Sequence, residues 1–306
     1  MRVFDEARIR RALRYPEIID CMRDALLAQA RGECETPPPM HLDIAPESAE
    51  VHIKAGYRRG GPYFALKVAS SFPDNLARGL STGNGMMLLF SGSTGEPAAL
   101  LADGGHLTDV RTAAVAAMVA RELGRRDASL GILGSGIQAR LQAQLHAEVL
   151  PLEEIWIWGR TPDRAAACRA DLRAALPGVR VEVVESPAAV AARAGYLVCC
   201  TASRAPLLTP SDLQSGSHIA AVGSDAPGKQ ELDPAILRQA ALVLADSLQQ
   251  CRRLGELQHS PEVDALEIGS FCQSPRPRDS GITVCDFTGL GVEDLFIAEY
   301  CLERMS

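Results

Sequence analysis

Lys67 is a cation in an unusual place, because it lies in the otherwise apolar segment of residues 62–70. Burying a lysine is costly unless an anion pairs with it. The segment therefore indicates either a cation inside a pocket that takes an anionic substrate, or an outward-facing lysine on a half-exposed strand.

Arg111 is expected in the first turn of a helix over residues 109–123, with Thr108 as the N-cap. A cation at a helix N-terminus opposes the helix dipole. That mismatch makes sense if Arg111 and the helix end together hold a carboxylate. The alternative is an ordinary surface arginine.

A glycine-rich junction at residues 134–139 separates an apolar run from a helix-like run and fits the pattern G-x-G-x-x-A. Gly134 permits the sharp turn, Gly136 leaves room for a pyrophosphate, and the small Ala139 lets helix and strand pack closely. The N–H groups and the dipole of the helix N-terminus attract phosphates. The pattern predicts a dinucleotide site, and a purely structural turn is the alternative.

The end of the next strand indicates which dinucleotide binds. NAD-specific sites usually carry Asp or Glu there, bonded to the ribose 2′-OH, but this strand ends in Gly159, Arg160 and Thr161. Arg160 offers a bidentate fork to a 2′-phosphate. The segment favours NADP(H), with NAD(H) as the alternative if Arg160 is only a solvated surface residue.

Asp225 follows the apolar run of residues 218–223, at the expected carboxyl end of a parallel strand. Doubly wound sheets bind their ligands at this edge, and an acid there is able to transfer a proton near a nicotinamide. The alternative is a turn residue ahead of Ala226, Pro227 and Gly228.

The elements that position these residues follow from the apolar pattern. From about residue 128 onward, continuous apolar runs alternate with helix-like segments, which is typical of strands buried on both faces of a parallel sheet. We therefore expect an α/β fold with a doubly wound Rossmann sheet of right-handed βαβ units. The expected strands are residues 129–134, 154–159, 179–184, 196–201, 218–223 and 241–246. The expected helices are residues 137–149, 162–176, 187–194 and 233–240, the last with Asp233 as its N-cap.

The first 115 residues show a different pattern, that of an α+β domain on a mainly antiparallel sheet. Two helices, at residues 5–14 and 16–31, precede a proline-rich break. A hairpin turn is indicated at residues 91–97. The expected strands are residues 51–57, 62–70, 84–91 and 97–104. A final amphipathic helix is expected over residues 291–305.

Composition argues against several classes of function. The 306-residue chain has a net charge of −7, which disfavours broad binding to nucleic acid or anionic membranes. It has no apolar run of about 18 residues and no apolar signal core, so we expect a cytoplasmic protein without a membrane partner. The nine cysteines fit reduced thiols in that compartment. No histidine spacing such as HExxH indicates a metal site.

Separate motifs follow one another along nearly the whole chain: FALKVASSFPDN, LFSGSTGEPAALLADGGHLTDVRTAA, LGSGIQA, IWGRT, AAVGSDAPGKQEL, LADS and FTGLGVEDL. Together they resemble the ornithine cyclodeaminase/mu-crystallin family. The resemblance implies a substrate-binding and dimerisation domain over residues 1–115, completed by residues 288–306. It also implies a Rossmann domain over residues 116–287 and a homodimer.

The same resemblance assigns roles to site residues. It implies that Lys67 and Arg111 hold the α-carboxylate of a small amino or imino acid, and that Asp225 donates or accepts a proton. The residues that it implies for binding NAD(P)(H) are Gly134, Ser135, Gly136, Ile137, Gln138, Arg160, Thr161, Thr201, Ala202, Ser203, Val222, Gly223, Thr112, Thr288 and Gly289.

The chain departs from the family in the proline-rich segment, where many members carry an arginine that helps to grip the carboxylate. Here the residues are Met40 and His41. Lys54 stands where relatives often have an apolar residue, and it shares a strand face with His52. Either Met40, His52 and Lys54 help to bind the substrate, replacing the arginine or reading a second polar group, or His52 and Lys54 lie on a solvated edge.

The leading expectation is an NAD(P)-dependent ketimine reductase or amino-acid dehydrogenase, which interconverts a 2-imino acid and an amino acid by hydride transfer. One alternative is a cyclodeaminase of ornithine or another ω-amino acid, which uses NAD catalytically and releases ammonia. Inward-facing His52 and Lys54 would repel the distal ammonium of such a substrate. Another alternative is a non-catalytic NADP-dependent ligand-binding protein, against which the joint presence of Lys67, Arg111 and Asp225 argues.

Overall fold

The computed structural model describes residues 1–274 and 281–305, and the chain divides into two compact units. The first unit comprises Met1–Arg111 with Leu290–Ser306, and the second comprises Thr112–Gly289. Within the described residues, no helix combines the length and the hydrophobicity that crossing a membrane requires.

The strands and helices of the described residues are numbered in chain order. The strands are β1 (Arg2–Asp5), β2 (Cys34–Glu35), β3 (Met40–Ile44), β4 (Ala49–Arg58), β5 (Tyr63–Ser71), β6 (Gly83–Ser91), β7 (Pro97–Ala102), β8 (Ser129–Leu133), β9 (Glu154–Trp158), β10 (Arg180–Val183), β11 (Tyr196–Cys199), β12 (Arg204–Leu208), β13 (His218–Ala221), β14 (Gln230–Leu232), β15 (Leu242–Ala245), β16 (Leu266–Glu267) and β17 (Thr283–Asp286). The α-helices are α1 (Glu6–Ala12), α2 (Tyr15–Ala30), α3 (His106–Glu122), α4 (Ile137–Ala147), α5 (Pro162–Ala175), α6 (Pro187–Ala191), α7 (Pro234–Gln239), α8 (Leu248–Leu254), α9 (Ile268–Gln273) and α10 (Gly291–Met305).

The first unit is built on a seven-stranded sheet in the order β1-β7-β6-β5-β4-β2, with β3 also paired to β4. β1 runs parallel to β7, and the other pairs are antiparallel. One face of this sheet carries fully buried apolar side chains, among them Met87, Leu89 and Leu101. Helix α10 packs against β4, β5 and α2 and so completes the core of this unit.

Two glycines let α10 approach β4 closely. A Cβ atom on Gly56 would lie 2.3 Å from the carbonyl oxygen of Gly291, and a Cβ on Gly291 would lie 1.9 Å from that of Ala55. No side chain fits at either position unless the backbone moves. The first turn of α10 is thereby held directly against the sheet.

The second unit contains an eight-stranded parallel sheet in the order β10-β9-β8-β11-β13-β17-β15-β16. All six strands expected from the apolar runs are present, and the doubly wound α/β class is confirmed. The expected cap of α7 is also confirmed, since the Asp233 carboxylate accepts a hydrogen bond of 2.8 Å from the backbone of Ala235.

Several short strands escaped the sequence pattern. β3 lies within the region expected to be a proline-rich break, β1 precedes the first helix, and β17 is only four residues long. Pairing with a neighbouring strand defines a short strand as much as its local pattern does, so the apolar pattern found some strands of this length and missed these.

Candidate active site

The glycine junction forms the turn that the sequence predicts. Gly134 has φ of +138°, and a Cβ atom there would lie 2.7 Å from Sγ and 2.9 Å from the carbonyl oxygen of Cys200. Its N–H donates to the carbonyl of Trp158 at 2.8 Å, which ties the turn to the end of β9. Only glycine fits this backbone.

Gly136 is different, because a Cβ atom there would meet nothing within 4 Å. It is the N-cap of α4, and no side chain caps this helix end. Ile137, in the first turn, exposes 49% of its surface although it is apolar. Open space, uncapped N–H groups and an exposed apolar side chain fit a dinucleotide pyrophosphate and its neighbouring rings.

Arg140 fixes this turn and was missed by the sequence reasoning. Its Nη1 donates to the carbonyls of Ser135 and Gly136 at 2.8 and 3.1 Å, and its Nε donates to Asp171 at 2.7 Å. The guanidinium of this α4 residue therefore holds the backbone of the preceding loop in place. Gln138 accepts a hydrogen bond from Gln142 one turn along.

Arg160 and Thr161 follow β9 and are exposed, and Thr161 caps α5 without a side-chain hydrogen bond. The exposed guanidinium follows the end of the strand next to β8. This is the position from which the ribose of a bound dinucleotide is read.

A buried glutamate, Glu231, joins the ends of two adjacent strands. Its Oε1 accepts hydrogen bonds from the N–H and hydroxyl of Thr201, at 2.6 and 2.7 Å, and its Oε2 accepts one of 2.9 Å from Gly223. Burial raises the pKa of Glu231 to about 7, and the hydrogen bonds from Thr201 oppose that rise. Glu231 was not expected as a site residue, since only the fold brings it to these strand ends.

Further residues that were expected to bind the cofactor lie after β11, after β13 and in α3. Ser203 donates from its backbone to the hydroxyl of Thr201, Ala202 is exposed, and Val222 is buried. Thr112 is partly buried in α3.

Asp246 holds the segment after β17. Its Oδ2 accepts hydrogen bonds from the N–H groups of Thr288 and Gly289, at 2.7 and 2.6 Å. Gln250 donates to the carbonyl of Gly289 at 2.8 Å. The closing Thr288–Gly289 segment is thus fixed from both sides within the second unit.

Asp225 follows β13 at the same edge of the sheet. Its carboxylate accepts a hydrogen bond of 2.6 Å from Nζ of Lys229, and 46% of its side chain remains exposed. The pairing holds the carboxylate in a defined position while leaving it accessible, as a proton-transfer group requires.

Lys67 and Arg111 lie in the first unit, and both side chains are buried. Lys67 Nζ is 3.2 Å from Asp294 Oδ2, Arg111 Nε is 3.0 Å from Asp294 Oδ1, and Arg111 Nη1 is 2.9 Å from Glu293 Oε2. Lys54, 9% exposed, lies directly opposite Lys67 in the β4–β5 register. We call these five residues the buried charge cluster.

The pKa values in this cluster reflect burial and mutual attraction. Burial lowers the pKa of Lys67 to about 7, Asp294 opposes that shift, and the positive charges of Arg111 and Lys54 add to it. Burial alone would raise the pKa of Asp294, but the three neighbouring cations outweigh it and the net shift is downward. The cluster is a site whose cation charge changes near neutral pH.

The expected helix start at Thr108 is wrong. Helix α3 begins at His106, and its Leu107 N–H donates to Asp103 Oδ2 at 2.7 Å, so Arg111 lies in the second turn. Gly104 and Gly105, both with positive φ, allow the chain to enter the helix earlier. Two carboxylates, rather than the helix end, determine the position of Arg111.

The structure does not bring Met40 together with the charge cluster. Met40 pairs with Ile53, so its side chain is on the sheet face opposite to that of Lys54, and it is 63% exposed. His52 shares the face of Lys54, but its Nε2 is 3.6 Å from Glu50 Oε2. Of the three residues that were expected to help bind the substrate, only Lys54 belongs to the buried charge cluster.

Comparison with known proteins identifies relatives of the whole chain. The sequence model of the ornithine cyclodeaminase/mu-crystallin family matches residues 2–306. A protein of Rhizobium meliloti, provisionally named as a dehydrogenase, is 40% identical and covers 99% of this chain and 95% of its own length. An uncharacterised cyclodeaminase of Sinorhizobium fredii is 37% identical (99% and 96% covered), and the iminosuccinate reductase of Paracoccus denitrificans is 31% identical (90% and 88% covered).

Solved structures share the fold. Delta(1)-pyrroline-2-carboxylate reductase of Thermococcus litoralis, in complex with NADH and L-proline, superposes with a TM-score of 0.93 at 23% identity over 99% of this chain and 97% of its own. An archaeal alanine dehydrogenase dimer with bound NAD gives 0.90 at 27% (99% and 95%). The Paracoccus denitrificans iminosuccinate reductase with NAD+ gives 0.87 at 29% (99% and 96%).

Proposed function

Because this chain belongs to the ornithine cyclodeaminase/mu-crystallin family, we propose that it is an NAD(P)H-dependent oxidoreductase that interconverts a 2-imino acid and the corresponding amino acid. The observation that carries the proposal is the burial of two neighbouring cations, Lys67 and Arg111, inside the first unit, where both contact Asp294. Burying cations side by side is costly even when carboxylates pair with them. We infer that the pair is kept because it forms the binding site for the carboxylate of the substrate.

Each residue then has a defined task. Arg111 and Lys67 bind and orient the substrate carboxylate, which fixes the geometry of the reacting carbon. Asp225 donates a proton to the imine nitrogen in the reductive direction and accepts it in reverse. A bound reduced nicotinamide supplies the hydride that C2 of the imino acid accepts. The Lys229 ammonium keeps the Asp225 carboxyl group in position.

For the cofactor we propose NADP(H) as the preferred dinucleotide. The related structures described above contain NAD+, NAD or NADH, so binding of the nicotinamide dinucleotide is the general expectation for this chain. The preference for the phosphorylated form is supported by the exposed Arg160 and by the absence of an acidic residue among Gly159, Arg160 and Thr161.

A cyclodeaminase is the second candidate, favoured by the relative of that name at 37% identity. It would oxidise an ω-amino acid, release ammonia on ring closure and reduce the cyclic imine, regenerating NAD. The burial of Lys54 beside Lys67 argues against it, because an added cation repels a distal ammonium.

The experiment is a parallel screen of cyclic and linear 2-imino acids with NADPH and with NADH. Turnover is monitored as the decrease in absorbance of the reduced dinucleotide. We expect oxidation of the dinucleotide with at least one imino acid. Incubation with ornithine and NAD is the matched arm, and release of both ammonia and proline there would support the cyclodeaminase instead. Tight binding of the dinucleotide without turnover of any compound would support a ligand-binding protein.

The first unit supports a homodimer. The register places exposed apolar side chains on the sheet face opposite to the charge cluster, including Val3, Met40, Leu42 and Met86. An apolar face of this kind commonly marks an association surface. Light scattering should give twice the chain mass, and Leu42→Lys should shift the protein towards a monomer.

We also propose a cytoplasmic location. The nine cysteines are all free thiols, as a reducing compartment would keep them. Immunoblotting of separated cytosolic and membrane fractions tests this.

A further inference from the structure

Four side chains of metal-ligand type meet on the β3–β4 pair of the first unit. In the antiparallel register His41 lies directly opposite His52, and Asp43 lies directly opposite Glu50. Directly paired residues, and residues two apart on one strand, project from the same sheet face. The four side chains therefore form a square, which we call the β3–β4 cluster. No spacing along the sequence indicates it, because the ligands come from two strands.

The side chains already face one another. The rings of His41 and His52 have centroids 4.7 Å apart, His41 Nε2 is 2.9 Å from Asp43 Oδ1, and His52 Nε2 is 3.6 Å from Glu50 Oε2. One ligand atom each from His41, Glu50 and His52 lies within 4.8 Å of the other two. Ligand atoms of a tetrahedral zinc site are about 3.4 Å apart, so rotation of the side chains on the fixed strands is enough to close the site.

We propose that His41, Glu50 and His52 bind a divalent transition-metal ion of the zinc class. Two imidazoles with a carboxylate suit Zn²⁺ and its neighbours, whereas Ca²⁺ and Mg²⁺ prefer oxygen ligands alone. The carboxylates of Asp43 and Glu50 together offset the two charges of the ion. This negative charge also shields the ion from Lys54, which follows His52 on the same face.

Asp43 has a separate task in this site. Its carboxylate accepts a hydrogen bond from His41 Nε2, which leaves the lone pair of that ring on the other nitrogen. A carboxylate in this position orients a metal-binding imidazole and increases its basicity. Asp43 is therefore a positioning residue, and three protein ligands hold the ion.

The location permits metal exchange. The side chains of His41, His52 and Glu50 are 36%, 22% and 29% exposed, so the ion has an entry path from solvent. Bound metal would add a second link between β3 and β4, which are already paired in the sheet. If the metal binds the folded chain and not the unfolded chain, it raises the melting temperature by mass action.

The test uses the full chain without an affinity tag, stripped with a chelator and dialysed. Isothermal titration with Zn²⁺, and with Co²⁺ followed by its visible d–d absorption, should give one ion per chain. The Co²⁺ bands should show the high intensity of tetrahedral coordination. A saturating excess of Zn²⁺ should raise Tm by about 5 °C.

Matched variants separate the cluster from general histidine binding. His52→Gln and Glu50→Gln preserve size and should each lower the affinity at least about 100-fold. Asp43→Asn, which changes only the positioning group, should lower it about 10-fold. His259→Gln is the control, because His259 bonds the carbonyl of Lys229 in the second unit, and it should bind Zn²⁺ like the wild type.

Circular dichroism tests whether each variant is folded. If His52→Gln does not fold, the Zn²⁺ affinity of Glu50→Gln decides the outcome. Binding that is substoichiometric, or that is unchanged in both His52→Gln and Glu50→Gln, would overturn the proposal. These readouts require no turnover, so the result is independent of the proposed oxidoreductase activity.

Discussion

Lys67 Nζ and Asp294 Oδ2 lie 3.2 Å apart, on strand β5 and in the first turn of helix α10, and both side chains are about 97% or more buried. The pair joins β5, in the first quarter of the chain, to α10 near its end. It also lowers the cost of burying a lysine that the proposed reaction needs as a cation.

Removing the negative charge of this pair should destabilise the fold. Asp294→Asn leaves Lys67 and Arg111 buried with only Glu293 as a carboxylate partner in the buried charge cluster. We expect the free energy of unfolding to fall by about 3–5 kcal/mol, measured by urea denaturation. Glu303→Gln, an exposed change on the same helix, should cost less than about 0.5 kcal/mol. Equal stabilities of the two variants would show that the pair does not hold the cluster together.

The affinity for the substrate should depend on the charge of Lys67. Because burial lowers the pKa of Lys67 to about 7, the fraction of the cation falls about tenfold per pH unit above that value. We expect KM for the imino acid to rise with that slope above about pH 7, while Lys67→Arg, which stays charged, flattens the profile. Parallel slopes in the two enzymes would remove Lys67 from carboxylate binding.

The lowered pKa of Lys67 also makes the free energy of unfolding depend on pH. Between about pH 7 and 10.5, the folded chain holds Lys67 neutral while the unfolded chain keeps it protonated. The unfolded state then binds more protons, so the contribution of Lys67 to the free energy of unfolding increases with pH across this window. A Lys67→Met variant should lack this increase in denaturation curves recorded at several pH values.

The two glycines of the nucleotide turn should respond differently to alanine. Gly134→Ala introduces strain at φ of +138° and a contact of 2.7 Å with Cys200 Sγ, so it should lower stability by at least about 1–3 kcal/mol. Gly136→Ala adds a methyl group in open space and should leave the Tm of the ligand-free chain unchanged. It should nevertheless weaken NADPH binding at least about tenfold, measured by fluorescence titration, because the methyl group takes the room of the phosphates. Unchanged affinity in Gly136→Ala would place the dinucleotide elsewhere.

Arg160 should determine the choice of dinucleotide. Losing a charge-assisted contact to a 2′-phosphate costs about 1.5–3 kcal/mol, so Arg160→Ala should lower kcat/KM for NADPH by about 10- to 100-fold. The value for NADH should change by less than about twofold. Arg164→Ala, an exposed arginine one turn further along, is the control. An equal loss with both dinucleotides would contradict a role in reading the phosphate.

Much of the fold of the second unit could be predicted from local sequence patterns. Continuous apolar runs identified six parallel strands, and the spacing of Gly134 and Gly136 identified the turn between β8 and α4, because both signals are local. The burial of Lys67 was one of the two alternatives that the sequence left open, because an apolar strand around a lysine is compatible with either a buried or an outward-facing side chain.

The partners of these residues could not be foreseen in the same way. Glu293 and Asp294 are far from Lys67 and Arg111 in sequence, and the tertiary packing that brings them together includes the close approach of Gly56 to Gly291. The start of α3 was misplaced because the Asp103 carboxylate caps Leu107 from four residues upstream.

Isotope transfer tests the proposed reaction most directly. The wild-type chain is supplied with a reactive 2-imino acid and with NADPH deuterated at the transferable C4 position, and the product is analysed by mass spectrometry. We expect an amino acid with one deuterium on Cα, formed about 10²–10⁴ times more slowly by Asp225→Asn, whose Kd for NADPH is unchanged. Product without deuterium at Cα, or an Asp225→Asn enzyme as fast as the wild type, would contradict the assignment.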